Sequence, residues 1–198
     1  MPFEPAPFDQ AVDFIGYIDQ LKSVIRKNAL HDGSRKENTA EHSWHAALSA
    51  ILLAPYANAP VNADRAARML LIHDLIEIEA GDTFVYDPDP LNQQEAAERQ
   101  AADDIFKRLP EGQGQVFKAL WEEFEARQTP EAKFAKAIDR FLPMYSNLRN
   151  GGFSWLPHNI TQAQVRELGE IVREGSTKLW EWLDHELQQA VEDGRLRP

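Results

Sequence analysis

Along most of the chain, apolar residues return every three to four positions, and Gly and Pro punctuate the runs. The segment 8–28 places Phe14, Ile18, Leu21 and Ile25 on one stripe and predicts a helix. A polar loop, 31–38, follows. Asn38, with Glu41 three residues on, forms a capping-box pattern and predicts a helix that opens there and runs to about Leu53. Residues 54–61 form a turn-rich connector. Asn62, with Asp64 in the first turn, predicts the next N-cap, and its helix ends near Ala80 and Gly81. Residues 82–90 are then a loop, and 92–109 and 114–127 are helical. Thr129 and Pro130 open a further helix that ends at paired glycines, Gly151 and Gly152, with Pro143 predicted to kink or break it. A last long helix covers 161–194. No strand pattern stands out. The reading is all-α: one domain over 1–198, a bundle of six or seven helices, with its core over about 14–150 and a C-terminal helical extension over 160–194.

Composition narrows the chemistry. The chain has 198 residues, 43% of them hydrophobic and 27% charged, enough for a substantial core. It has no cysteine, which excludes disulfides and thiolate metal sites and points to a reducing cytoplasm. The first residues carry neither basic charge nor a long apolar run, so no secretory signal is expected. The longest apolar stretch, near 46–54, is too short to span a bilayer. A formal net charge of −11 argues against broad electrostatic binding to nucleic acid or anionic lipid. It leaves open a small phosphorylated ligand held by a few local cations or a metal.

One stretch conflicts with its own pattern. Residues 71–82, LIHDLIEIEAGD, place Leu71, Ile72, Leu75, Ile76 and Ile78 on a face that should be buried. His73, Asp74, Glu77, Glu79 and Asp82 crowd into the same segment. Adjacent helical residues project about 100° apart, so His73 and Asp74 can share an ion only if other helices complete its shell. His42, at the start of its helix, and Asp139, mid-helix among apolar neighbours, are the candidates. A carboxylate on a buried stripe is too costly to leave unpaired. His42, His73, Asp74 and Asp139 would give a mixed imidazole and carboxylate set suited to one divalent ion, Mn, Co, Fe, Zn or Ni. Simple hydrogen bonding of core histidines is the competing explanation. His45 is read as packing or as support for a ligand; His31, His158 and His185 as surface or structural.

These motifs together, EHS at 41–43, HDLIE at 73–77 with GD at 81–82, and AIDR at 137–140, resemble the HD-domain metal-dependent phosphohydrolases. The chain is most similar to the compact branch that contains the bacterial 5′-deoxynucleotidases, over about Phe14 to Leu148. The resemblance implies that His42, His73, Asp74 and Asp139 are the metal ligands. It implies that Glu77 sits beside the attacking water, that Asp82 is a further acid at the edge of the site, and that Arg26 contacts the substrate phosphate. Arg35 and Lys36 are candidates to add charge. One position departs from the pattern: Lys27 stands where that branch carries an aromatic residue suited to packing on the sugar, which weakens the expectation of deoxyribose selectivity. The implied activity is release of phosphate from (deoxy)nucleoside 5′-monophosphates. Hydrolysis of another small nucleotide (a di- or triphosphate, or a cyclic one), or non-catalytic nucleotide binding, is the alternative. The implied partners are a nucleotide and a second copy in a homodimer, with no nucleic acid and no membrane. Trp180, Trp182 and Leu183 read as core or as part of a dimer contact.

Overall fold

The computed structural model describes residues 6–86 and 91–198, the side chains of 91–95 excepted. Part of the loop expected at 82–90 and the extreme N-terminus therefore lie outside the described residues. The architecture is all-α with one small hairpin. In order come α1 (Pro7–Ile18), a 3₁₀ turn (Asp19–Ser23), β1 (Ile25–Ala29), β2 (Lys36–Asn38), α2 (Thr39–Leu53), a 3₁₀ turn (Ala54–Tyr56) and α3 (Ala63–Ile72). A third 3₁₀ turn (His73–Ile76), α4 (Glu77–Ala80), α5 (Leu91–Phe106), α6 (Glu111–Ala126), α7 (Pro130–Arg149), α8 (Gln162–Gly175) and α9 (Thr177–Glu192) complete it. α7 lies at the centre, packed against α2, α3, α6, α8 and α9. Phe134, Ile138, Met69, Leu70, Phe124, Val165 and Leu183 belong to one continuous apolar core around it. No helix among the described residues is long and apolar enough to cross a membrane.

The caps expected from the sequence are present. The Asn38 side chain accepts the Glu41 backbone N–H while Glu41 accepts the Asn38 N–H, and the Asn62 and Thr129 side chains accept the N–H groups of Arg65 and Ala132.

Four expectations are corrected. The helix expected from Asn62 to about Ala80 ends at Ile72, and the rest of it becomes the 3₁₀ turn His73–Ile76 and α4. The helix predicted over 8–28 ends at Ile18, and its last third forms β1, paired antiparallel with β2 through Ile25↔Asn38 and Ala29↔Lys36. The pairing imposes a period of two: Ile25 faces out at 54% exposure while Arg26 is buried at 8%. Pro143 does not end α7, which runs on to Arg149, and the Asn147 side-chain amide donates to the Pro143 carbonyl at 3.0 Å. The C-terminal helix is two helices divided at Ser176. That side chain caps α9 by accepting the Leu179 N–H, and its hydroxyl donates to the Tyr56 carbonyl at 2.6 Å. Gly175 lets the end of α8 pack closely on α7, because a Cβ there would strike the Lys133 carbonyl oxygen and lie 2.5 Å from Ala137 Cβ. This split helps raise the number of helices of ten residues or more to eight among the described residues.

Candidate metal centre

The capping box fixes where α2 begins, so His42 enters one turn into the helix, pointing inward among Ser43, Ala46 and Ala47. α3 ends at Ile72, and the chain tightens into a 3₁₀ turn that starts at His73, so His73 and Asp74 leave from a helix end. Asp139 comes from the middle of α7. These three elements bring their donors to one point. His42 Nε2 lies 3.0 Å and His73 Nε2 3.3 Å from Asp139 Oδ1. All three residues are buried, and their donor atoms lie within 4.8 Å of one another. Asp74 sits at the edge of this group: Oδ1 is 3.1 Å from His73 Nε2 and Oδ2 is 3.9 Å from His42 Nε2, while Arg26 Nη1 donates to Oδ2 at 2.9 Å.

The protonation pattern shows why a cation belongs there. The His73 Nδ1–H donates to the Leu70 carbonyl at 2.8 Å, so its Nε2 presents a lone pair, or a second proton, to two carboxylates. Burial alone would lower the His73 pKa, but Asp74 and Asp139 outweigh it and hold it raised. Burial, followed by the charge of Arg26, pushes His42 down to about 4, so it is neutral near pH 7. Burial would raise Asp139, but hydrogen bonds from His42 and His73 hold it well below the usual carboxylate range. Two inward imidazole nitrogens facing carboxylate oxygens repel unless positive charge lies between them, as a proton or as a divalent ion.

Beside this group is a second layer of charge. Arg26 Nη1 faces Asp74, Glu77 at 3.8 Å and Asp82 at 3.6 Å, and its Nε lies 3.8 Å from Glu37. Burial would lower the arginine's pKa; Asp74, Glu77 and Asp82 more than reverse this. Glu77 also accepts the Thr39 hydroxyl at 2.8 Å, and burial, then Asp74, pushes its pKa up to about 9. Asp82 is raised by burial despite Arg26 and a hydrogen bond from the Lys27 backbone N–H. Asp74, Glu77, Asp82, Asp139, Arg26 and Arg140 all line one open cavity of about 330 Å³.

The structure thus brings together all seven residues singled out from sequence: His42, His73, Asp74, Asp139, Glu77, Asp82 and Arg26. Sequence reasoning missed Glu37, buried and pushed by desolvation to about 7, and Thr39. Glu37 faces inward only because the hairpin exists, so no local signal marked it. Arg35 does not serve the site: both its terminal nitrogens are engaged by Glu41, at 2.8 and 2.6 Å. Lys36 is exposed on β2. His45 lies against His31, with ring centroids 5.9 Å apart, and His158 Nδ1 donates to the Ser154 carbonyl.

Comparison with known proteins is decisive at one level. The HD-domain sequence profile matches residues 18–180. The chain belongs to the HD-domain family. A crystal structure of a predicted metal-dependent phosphohydrolase from Magnetospirillum magnetotacticum MS-1 is similar to this HD-domain protein at 44% identity and TM-score 0.93, covering 100% of this chain and 99% of that one. The human 5′-deoxynucleotidase HDDC2 is 31% identical over 130 residues, which span 65% of this chain and 62% of the human protein. A 5′-deoxynucleotidase of Enterobacter sp. (strain 638) is 30% identical over 157 residues, 72% of this chain and 76% of that protein. The match to the human relative thus falls short of two thirds of its length. In this HD-domain chain the buried His42, His73 and Asp139 group fits a divalent ion by its donor chemistry, independently of any relative.

Proposed function

We propose that this HD-domain protein is a metal-dependent phosphohydrolase that releases phosphate from (deoxy)nucleoside 5′-monophosphates. The observation that carries the reading is the convergence of His42, His73 and Asp139 from three separate elements, beside a cavity whose lining includes Asp74, Glu77 and Asp82. Likeness to 5′-deoxynucleotidases supports the substrate class.

His42, His73, Asp74 and Asp139 hold the ion, one of Mn, Co, Fe, Zn or Ni. When bound, such an ion supplies Lewis-acid polarisation of a phosphate oxygen and eases deprotonation of water. Glu77 exchanges that water's proton at its carboxylate, steadied by the Thr39 hydroxyl. Burial first and then repulsion from Asp74 raise its pKa, so neutralising Asp74 lowers it and frees the carboxylate to accept a proton. Arg26 supplies fixed positive charge for the phosphate from beneath the acids, and Asp82 orients or protonates the leaving oxygen. Lys27, exposed on β1, offers no aromatic surface to a sugar, which supports acceptance of ribose as well as deoxyribose. The absence of cysteine supports a cytoplasmic setting.

The test begins with elemental analysis of protein purified without chelator. Nucleoside 5′-monophosphates are then offered with each metal added back. Phosphate release that chelation stops and metal restores is the expected outcome; release indifferent to chelation, or none with any of the five metals, overturns the reading.

The homodimer belongs to the same proposal. α2 is inverted: small or polar residues such as Ser43, Ala46 and Ala50 face the core, while Trp44, Leu48, Ile51 and Leu52 are exposed on one stripe. The stripe carries no charge, so two copies related by a two-fold axis can join it to itself without stranding an ion. Sedimentation of the wild type should give a dimer and of Trp44→Glu a monomer; a monomeric wild type at micromolar concentration refutes this part.

A further inference from the structure

Arg140 follows Asp139 on α7 and stands apart from the acids gathered around Arg26. Its position is unusual. The open cavity over the metal centre, about 330 Å³, adjoins a tighter one of about 40 Å³ walled by Phe84, Met144, Asn147 and Trp155. Four residues are common to both linings: Arg26, Asp82, Thr83 and Arg140. The two arginines therefore border the same junction beside the metal ligands.

Their circumstances differ. Arg26 has four carboxyl groups within 4 Å and divides its charge among them. Among the described residues, Arg140 has one ion-pair contact, Asp139 Oδ2 at 3.8 Å from Nε, too long for a hydrogen bond. Its Nε, like that of Arg26, is buried and has no hydrogen-bond partner among them, but no second carboxylate among them lies within 4 Å of its guanidinium. Lys136, one turn earlier and lining the same cavity, is already paired with Glu125 at 3.1 Å and lies over the Phe124 ring. A guanidinium is a planar fork of donors matched to a tetrahedral oxyanion, and an unpaired buried donor marks where an acceptor is missing.

We propose that Arg140 is a substrate-binding residue that holds the phosphate from the outer side of the metal centre, completing with Arg26 a two-arginine clamp. This deepens the phosphohydrolase reading and rests on it for the identity of the ligand. The class of ligand is a phosphate monoester, with the ester group directed along the junction that Thr83 and Phe84 line.

The experiment uses the full chain loaded with manganese, with inorganic phosphate as probe. Binding of phosphate is followed by calorimetry in wild type, Arg140→Gln and Arg140→Lys, with metal content and melting temperature measured alongside. Arg140→Gln should keep its metal and weaken phosphate binding by about tenfold or more, with Arg140→Lys in between, because a point charge replaces the fork. In turnover, KM should rise by a similar factor with kcat changed far less. Unchanged phosphate affinity in Arg140→Gln, or no phosphate binding by metal-loaded wild type, overturns the clamp. If Arg140→Gln does not fold, Arg140→Lys decides, and affinity equal to wild type overturns it. The two readings fail separately. Hydrolysis with an unaffected Arg140→Gln removes the clamp alone; Arg140-dependent phosphate binding without turnover of any nucleotide removes the nucleotidase reading alone.

Discussion

Asp139→Asn is expected to lose its metal and at least about a thousandfold of phosphate release, since metal polarisation and activation of the attacking water go together. The substitution is nearly isosteric, so α7 keeps its packing, and the amide can still hydrogen-bond the histidines. What disappears is the negative charge that both Nε2 atoms face at 3.0 and 3.3 Å. Without it, His42, His73 and Asp74 remain, and Asp74 is already engaged by Arg26 at 2.9 Å. A direct readout needs no substrate. Metal at a hundred times its dissociation constant stabilises the folded state by about 2.7 kcal/mol, which for a chain of this size raises the melting temperature by roughly 5–10 °C. Wild type should show that rise on adding metal to chelator-treated protein, and Asp139→Asn should not. Equal metal content in the two proteins would remove Asp139 from the ligand set and take the proposed chemistry with it.

Asp139 stands out in the bare sequence because the signal that marks it is local. A carboxylate among apolar helical neighbours advertises its own desolvation problem, and the His73–Asp74 pair is conspicuous for the same reason. A capping box is likewise written in residues three apart, and Asn38 and Glu41 close as expected. The hairpin is hidden for the opposite reason. Phe14, Ile18 and Leu21 set a helical beat that Ile25 continues by coincidence, and only pairing with Lys36–Asn38, distant in sequence, overrides it. Everything that depends on the hairpin is hidden with it: that Arg26 turns inward, and that Glu37 joins it. The break at Ser176 does have a local signature, since Gly followed by Ser and Thr is both a helix stop and a cap. Charge assignments are the least legible. Arg35 and Arg140 look alike in sequence, yet one is held at the surface by Glu41 and the other borders the open cavity that His73 and Asp139 line.

Glu77→Gln separates proton exchange from metal binding. Glu77 makes no contact with the inward imidazole nitrogens; its partners are the Thr39 hydroxyl at 2.8 Å and Arg26 at 3.8 Å. Metal content and the metal-induced rise in melting temperature should therefore match wild type, while kcat falls by about 10²–10⁴ with KM little changed. Arg26 keeps Glu37, Asp74 and Asp82, so the cluster tolerates the loss of one carboxylate. The metal-free protein gives an independent check on the environment. Burial and Asp74 raise the folded-state pKa of Glu77 to about 9, above the ordinary carboxylate value of 4.5. The folded chain thus binds this proton more tightly than the unfolded chain, and its contribution to stability declines as pH rises between those two values. Glutamine cannot titrate. The stability of Glu77→Gln relative to wild type, measured with chelator present, should therefore grow from pH 5 toward pH 9. A kcat within a few-fold of wild type would assign the proton to another group, and a flat stability difference across that range would mean that Glu77 is not held neutral by its surroundings.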